Sequence, residues 1–288
     1  MRKKGEIIKG YEIEFKIGNG SFGVVYKVKD KNYPNKNYAL KEIDIQNHPQ
    51  YDSKKDYLER LVKNEIKNMK IVENEHSVKL IENFEYDDCT FLVMELCDCD
   101  LETEFMNYRK TTKRSYNELE VYMIMSQLNE CLKKMREGKE KIIHRDLKLE
   151  NILIKYDKNI PYIGFSLKVS DFGLSKKLKK EELTKTNVGT LYIQAPEIFF
   201  NKGYDTKADL WSIGIIIYQL LFKSKIPFVA YTREELSAKL KKYKRLELSD
   251  EDRKLISDEC FDLLNNLLEK NPHKRIDFLP YMKIIIKK

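Results

Sequence analysis

The sequence predicts an α+β fold in two lobes. Residues 1–95 would form an amino-terminal lobe, a five-stranded antiparallel sheet with one helix, and residues 96–288 a mainly helical carboxy-terminal lobe. Three observations carry this reading. Residues 11–43 fall into short runs with strand periodicity or β-branched enrichment, broken by glycine and asparagine. Beyond Asn117 the apolar residues recur at helical spacing. Gly18, Gly20 and Gly23 join two strand-like runs rather than a strand and a helix, so they make a hairpin lid and not a dinucleotide-binding turn.

In order, Tyr11–Ile17 alternates with period two, Val24–Lys29 is rich in β-branched residues, and Asn37–Ile43 reads as a third strand. The polar stretch 44–55 reads as a loop. Leu58, Leu61, Val62, Ile66 and Met69 form an apolar stripe on a helix predicted over Tyr57–Ile71. Val78–Phe84 and Thr90–Met94 complete the sheet. Asn117 or Ser115 caps a long helix running to about Met135. Ile152–Ile154 and Lys168–Ser170 are short strands around a connection at Asn159–Pro161. Asp209–Leu221, Arg233–Tyr243 and Glu259–Leu268 read as further helices.

Composition narrows the function class. The net charge of +8 comes mostly from lysine and is spread along the chain. No basic stretch carries the interleaved aromatics of a nucleic-acid binder, so a solvated surface is the better reading and no nucleic-acid partner is expected. Five cysteines, odd in number and sparse, point to a reducing, intracellular and cytoplasmic setting. Cys97-Asp98-Cys99 has no second pair and no nearby histidine, which makes it a poor metal clip. The run Ile213–Leu221 is far shorter than the roughly 20 residues a membrane span needs.

The chemistry concentrates in two strings, His144-Arg145-Asp146-Leu147-Lys148-Leu149-Glu150-Asn151 and Asp171-Phe172-Gly173. Asp146 can accept a hydroxyl proton, Lys148 can neutralise a migrating phosphoryl group, and Asn151 and Asp171 offer hard oxygen ligands for Mg²⁺. With them stand Gly18-Asn19-Gly20-Ser21-Phe22-Gly23, Tyr38-Ala39-Leu40-Lys41, Ala195-Pro196-Glu197, Asp209-Leu210-Trp211-Ser212-Ile213-Gly214 and Arg275. In this order, over most of the chain, they resemble the eukaryotic protein kinase family of serine/threonine type, in its broad calcium/calmodulin-dependent-like group. Autophagy-initiating kinases are a second possibility.

The resemblance implies a bilobal kinase-like fold, ATP and Mg²⁺ as cofactors, protein substrates and an upstream kinase. It implies that Lys41, oriented by Glu65 with Glu59 as the fallback, meets the α- and β-phosphates, and that Asp146 is the base. Asn151 and Asp171 would hold metal. Ile17, Gly18, Asn19, Gly20, Ser21, Phe22 and Gly23 would cover the nucleotide. Val25 and Ala39 would lie above the adenine and Leu153 below it. Met94 would guard the back pocket, and Glu95 and Cys97 would use backbone groups only. Met69, Leu80, His144 and Phe172 would stack in the active state, His144 packing rather than shuttling protons. Asp100 is a weak candidate for the ribose hydroxyls.

Lys148 and Thr190 fit the serine/threonine form. Arg145, with Lys176, would meet a phosphorylated Thr186 or Thr184. Glu150 would receive a basic substrate side chain, although its usual partner acid corresponds to Gln219, so basic substrates are half supported. Leu191 departs from the family's pattern and bears on preference after the phosphoacceptor. The alternative to an active kinase is a pseudokinase scaffold; the intact set Lys41, Asp146, Asn151 and Asp171 speaks for catalysis.

Overall fold

The computed structural model describes residues 2–20, 23–47, 51–137, 141–172, 193–200, 203 and 205–286. Its amino-terminal part is an antiparallel sheet of β1 (Ile7–Ile8), β2 (Tyr11–Gly20), β3 (Gly23–Asp30), β4 (Asn37–Ile43), β5 (Leu80–Tyr86) and β6 (Cys89–Glu95), in the spatial order β1-β2-β3-β4-β6-β5. The strand beyond the five expected is β1. It folds back onto Tyr11 and Glu12 through Lys9 and Gly10, whose φ values of 45° and 92° are the left-handed conformations of a tight turn. Burial of Ile8 holds it there. Two residues are too few to show alternation, so periodicity carries no sign of this strand.

Arg2 lies beside this hairpin. Its Nε donates to Glu42 at 2.8 Å, its Nη1 reaches Glu6 at 3.1 Å and Asp87 at 3.0 Å, and its backbone N–H donates to the Tyr26 hydroxyl at 3.0 Å.

Helix α1 runs Tyr51–Ile71 rather than from Tyr57, with a non-helical residue at Lys54 (φ −139°, ψ 21°). Its first turn is polar and carries no stripe for periodicity to detect, which is why 51–55 read as loop. After β7 (Cys99–Asp100) comes α2 (Leu101–Thr112), a helix that periodicity also misses, because only Leu101 and Phe105 are buried. Asp100 starts it as N-cap, Oδ1 accepting from the Thr103 N–H at 2.7 Å. Helix α3 (Glu118–Arg136) begins at Asn117, not Ser115. There Asn117 Oδ1 accepts from the Glu120 N–H at 3.0 Å, and Glu120 Oε2 accepts from the Asn117 N–H at 2.7 Å, a reciprocal capping box.

A 3₁₀ turn at Leu149–Asn151 leads into β8 (Ile152–Tyr156), which pairs with β7 and with β9 (Phe165–Val169). Helices α4 (Pro196–Phe199), α5 (Lys207–Leu221), α6 (Arg233–Lys242), α7 (Asp250–Arg253), α8 (Asp258–Leu267) and α9 (Phe278–Ile286) follow. Helix α5 is buried on every side, as its unbroken apolar run requires. At Gly214 an added Cβ would meet Leu268 Cδ2 at 2.8 Å, so α8 and its following residue press directly on the α5 backbone. Among the described residues no helix is long and apolar enough to cross a membrane.

Candidate active site

Strand alternation sets one wall of the cleft. In β4, Leu40 faces the outer core with Tyr26 and Val93, so Ala39 and Lys41 face the other way. The register places Val25 opposite Lys41 on one side and Leu92 on the other. On α1 the buried positions Leu58, Leu61, Val62 and Met69 form a stripe, and Glu65 lies within it, only 2% exposed. Lys41 Nζ donates to Glu65 Oε1 at 2.5 Å and to Asp171 Oδ1 at 3.4 Å. Burial opposes the charge on Lys41, but the Glu65 and Asp171 carboxylates outweigh it and hold the ammonium above its usual pKa. Burial pushes the Glu65 carboxyl up, with Lys41 opposing it. Glu59, the fallback, pairs loosely with Lys63 at 3.9 Å on the exposed face of α1.

The opposite wall hangs from Asp209, near the start of α5. Its Oδ2 accepts from the His144 N–H at 3.1 Å and its Oδ1 from the Arg145 N–H at 3.0 Å. These bonds hold Arg145 at φ 70°, and Asp171 sits at φ 59°, both in the sparsely populated left-handed region. His144 is fully buried. Its Nε2 donates to the Ser170 carbonyl at 2.8 Å, and its ring meets the Phe172 edge with centroids 5.3 Å apart. Met69 and Phe172 share one buried cluster with Leu80 packed against it.

Asn151 Nδ2 donates to the Asp146 carbonyl at 2.8 Å and to Asp146 Oδ2 at 2.9 Å, and Lys148 Nζ lies 3.1 Å from that same Oδ2. With its Nδ2 committed, Asn151 has its amide oxygen to offer a cation. That oxygen and the Asp171 carboxylate are hard donors, which fits Mg²⁺.

These walls enclose a cavity of about 860 Å³. The sheet side contributes Ile17, Gly18, Asn19, Val25 and Ala39, with Lys41, Glu65 and Met94 deeper in. Glu95 and Cys97 line the connection, and burial pushes the Cys97 thiol up to about 12. The helical side contributes Leu153, Asn151 and Asp171, with Asp146, Lys148, Glu150 and Asp100. Gly20 and Gly23 pair across the hairpin end, and Gly23 does not line the cavity. Ser21, Phe22, Lys176, Thr184, Thr186, Thr190 and Leu191 lie outside the described residues.

Phe15, Lys27 and Val78 line the cavity without having been read from the sequence. Strict alternation would place Phe15 with Ile13 on the outer face. A register shift between the two turns Phe15 and Ile17 to the cleft instead. Away from the cavity, buried Arg275 forks onto Glu197 at 2.6 and 2.9 Å and lies over Trp211 at 5.3 Å.

The family model described as "Protein kinase domain" matches residues 11–284. The chain belongs to the protein kinase family. Serine/threonine-protein kinase ULK3 of Xenopus laevis is 33% identical over 270 residues, 92% of this chain and 53% of that protein. Serine/threonine-protein kinase ATG1a of Arabidopsis thaliana is 30% identical over 279 residues, 96% of this chain and 41% of that protein. Serine/threonine-protein kinase 33 of Bos taurus is 33% identical over 265 residues, 90% and 51%. The kinase domain thus spans about half the length of the curated relatives it matches. These likenesses support a serine/threonine kinase and only loosely a calcium/calmodulin-dependent-like group.

Proposed function

We propose that the chain is the catalytic domain of a serine/threonine protein kinase. It transfers the γ-phosphoryl group of ATP to serine and threonine hydroxyls of protein substrates, with residues 1–95 and 96–288 as its two lobes and an intracellular place of action. One observation supports this most: Lys41 and Glu65 on the sheet side and Asp146, Lys148, Asn151 and Asp171 on the helical side converge on a single cleft.

Val25 and Ala39 on one side and Leu153 on the other receive the adenine, and the Lys41 ammonium meets the phosphates. Asn151 and Asp171 would hold Mg²⁺, which when bound neutralises phosphate charge. Asp146 orients the substrate hydroxyl and takes its proton as the new O–P bond forms and the bond to the ADP oxygen breaks. Lys148 offsets the negative charge beside Asp146. An upstream kinase acting at Thr186 or Thr184 would give Arg145 a phosphate partner, and Thr190 would contact the base. No observation favours the non-catalytic scaffold.

The test is radiolabelled phosphate transfer to a generic protein substrate, wild type against Asp146→Asn. Incorporation is expected to fall about 10²- to 10⁴-fold in the variant. Equal incorporation by both proteins overturns the reading.

A further inference from the structure

Glu95 ends β6 and begins the connection between sheet and helices, and it lines the proposed nucleotide cleft. The family resemblance gives work only to its backbone, yet its side chain is tied on three sides. The carboxylate accepts a hydrogen bond from the Lys79 backbone N–H at 2.8 Å, pairs with Lys168 Nζ at 3.2 Å, and has Lys155 Nζ at 3.8 Å. Lys79 immediately precedes β5. Lys155 lies on β8 close after Leu153, and Lys168 lies on β9 just ahead of Asp171. One carboxylate therefore joins the sheet to both strands of the hairpin that frames the lower cleft. The Glu95 and Lys168 side chains are each 14% exposed, whereas Lys155 is 53% exposed. Solvent screens the first pair much less than the second. Glu95, Lys79 and Lys168 also line a second hollow of about 690 Å³, so Glu95 is common to both cavities.

We propose that Glu95 and Lys168 are a positioning pair for nucleotide binding. The ion pair fixes the spacing between the segment that meets the base and the strand that presents Asp171. Without it, nucleotide binding would itself have to order the two, and affinity would fall. The inference rests on the nucleotide-binding reading above.

The test combines steady-state kinetics in ATP with calorimetry of MgADP binding, on proteins shown to be folded by circular dichroism and thermal melting. Lys168→Met is expected to raise the KM for ATP about 3- to 10-fold with kcat changed less than about 2-fold, and to weaken MgADP to a similar degree. Lys168→Arg keeps the charge and is expected to restore most of the loss. Glu95→Gln combined with Lys168→Met is expected to be no worse than the worse single variant, because either change already removes the pair. Lys155→Met, at the exposed position, is expected to move KM less than about 2-fold. A folded Lys168→Met protein with wild-type KM and MgADP affinity overturns the proposal, as do additive effects in the double variant or a Lys168→Arg protein as weak as Lys168→Met. Wild-type protein that takes up no MgADP overturns the nucleotide reading and this pair's role together. Wild type that binds, beside variants that bind equally well, removes only the pair's role.

Discussion

Lys41 on β4 and Glu65 on α1 meet at 2.5 Å with 4% and 2% of their surfaces exposed. A charge pair this deeply buried stabilises little compared with an apolar pair of the same shape, but removing Glu65 leaves Lys41 in a low-dielectric interior with only its longer contact to Asp171, at 3.4 Å. Glu65→Ala is therefore expected to destabilise the domain by about 3–5 kcal/mol and to depress kcat/KM for ATP. Denaturant unfolding and kinetics measure both. Unchanged stability would show that Lys41 does not depend on Glu65.

The same logic applies where no nucleotide chemistry is involved. Arg275 forks onto Glu197 in a fully buried site. Glu197→Ala is expected to cost about 3–5 kcal/mol in urea unfolding, and adding Arg275→Met should recover part of that loss because no uncompensated charge remains. A double variant less stable than Glu197→Ala would contradict this.

Two glycines of the hairpin are expected to behave oppositely. A Cβ at Gly23 would run into the backbone carbonyl of Glu42, next to Lys41, whereas at Gly18 no heavy atom of the described residues lies within 4 Å. Gly23→Ala should thus lower the melting temperature and weaken MgATP binding. Gly18→Ala should melt within a degree or two of wild type, an unstrained alanine in place of glycine being worth about 1 kcal/mol or less. Equal melting temperatures for the two variants would refute the close approach at Gly23.

Glu120 supplies a pH dependence. Burial raises its pKa, but hydrogen bonds from Arg114, the Asn117 N–H and Tyr108 outweigh this and bring it below the ordinary value of 4.5. A carboxyl depressed on folding stabilises the native state above its unfolded pKa, and that contribution is lost as pH falls through the folded value. Wild type should exceed Glu120→Gln in melting temperature at pH 7, and the gap should close as pH drops below about 4.5. A gap constant down to pH 3 would remove the carboxylate from this role.

The loop from His144 to Asn151, Lys41 and the α1 stripe with Glu65 were legible because each has a local pattern: a motif string, an alternation, a charged residue inside an apolar stripe. β1, the first turn of α1 and helix α2 were not, because their order comes from a tight turn, a polar end and an aspartate cap rather than from periodicity. Phe15 was missed because a bulge changes the parity of β2, and parity is what a strand reading assumes. The side chain of Glu95 was given no task because its partners come from the ends of distant strands, a relationship no spacing in the sequence reports.

Arg2 has a mechanical consequence. One guanidinium stitches the amino end to β4, to the turn between β5 and β6, and to its own hairpin at Glu6. Peeling β1 away therefore breaks several ionic contacts at once instead of unzipping one rung at a time. This edge of the sheet should resist fraying, and its amides should exchange with deuterium only when the whole amino-terminal sheet opens.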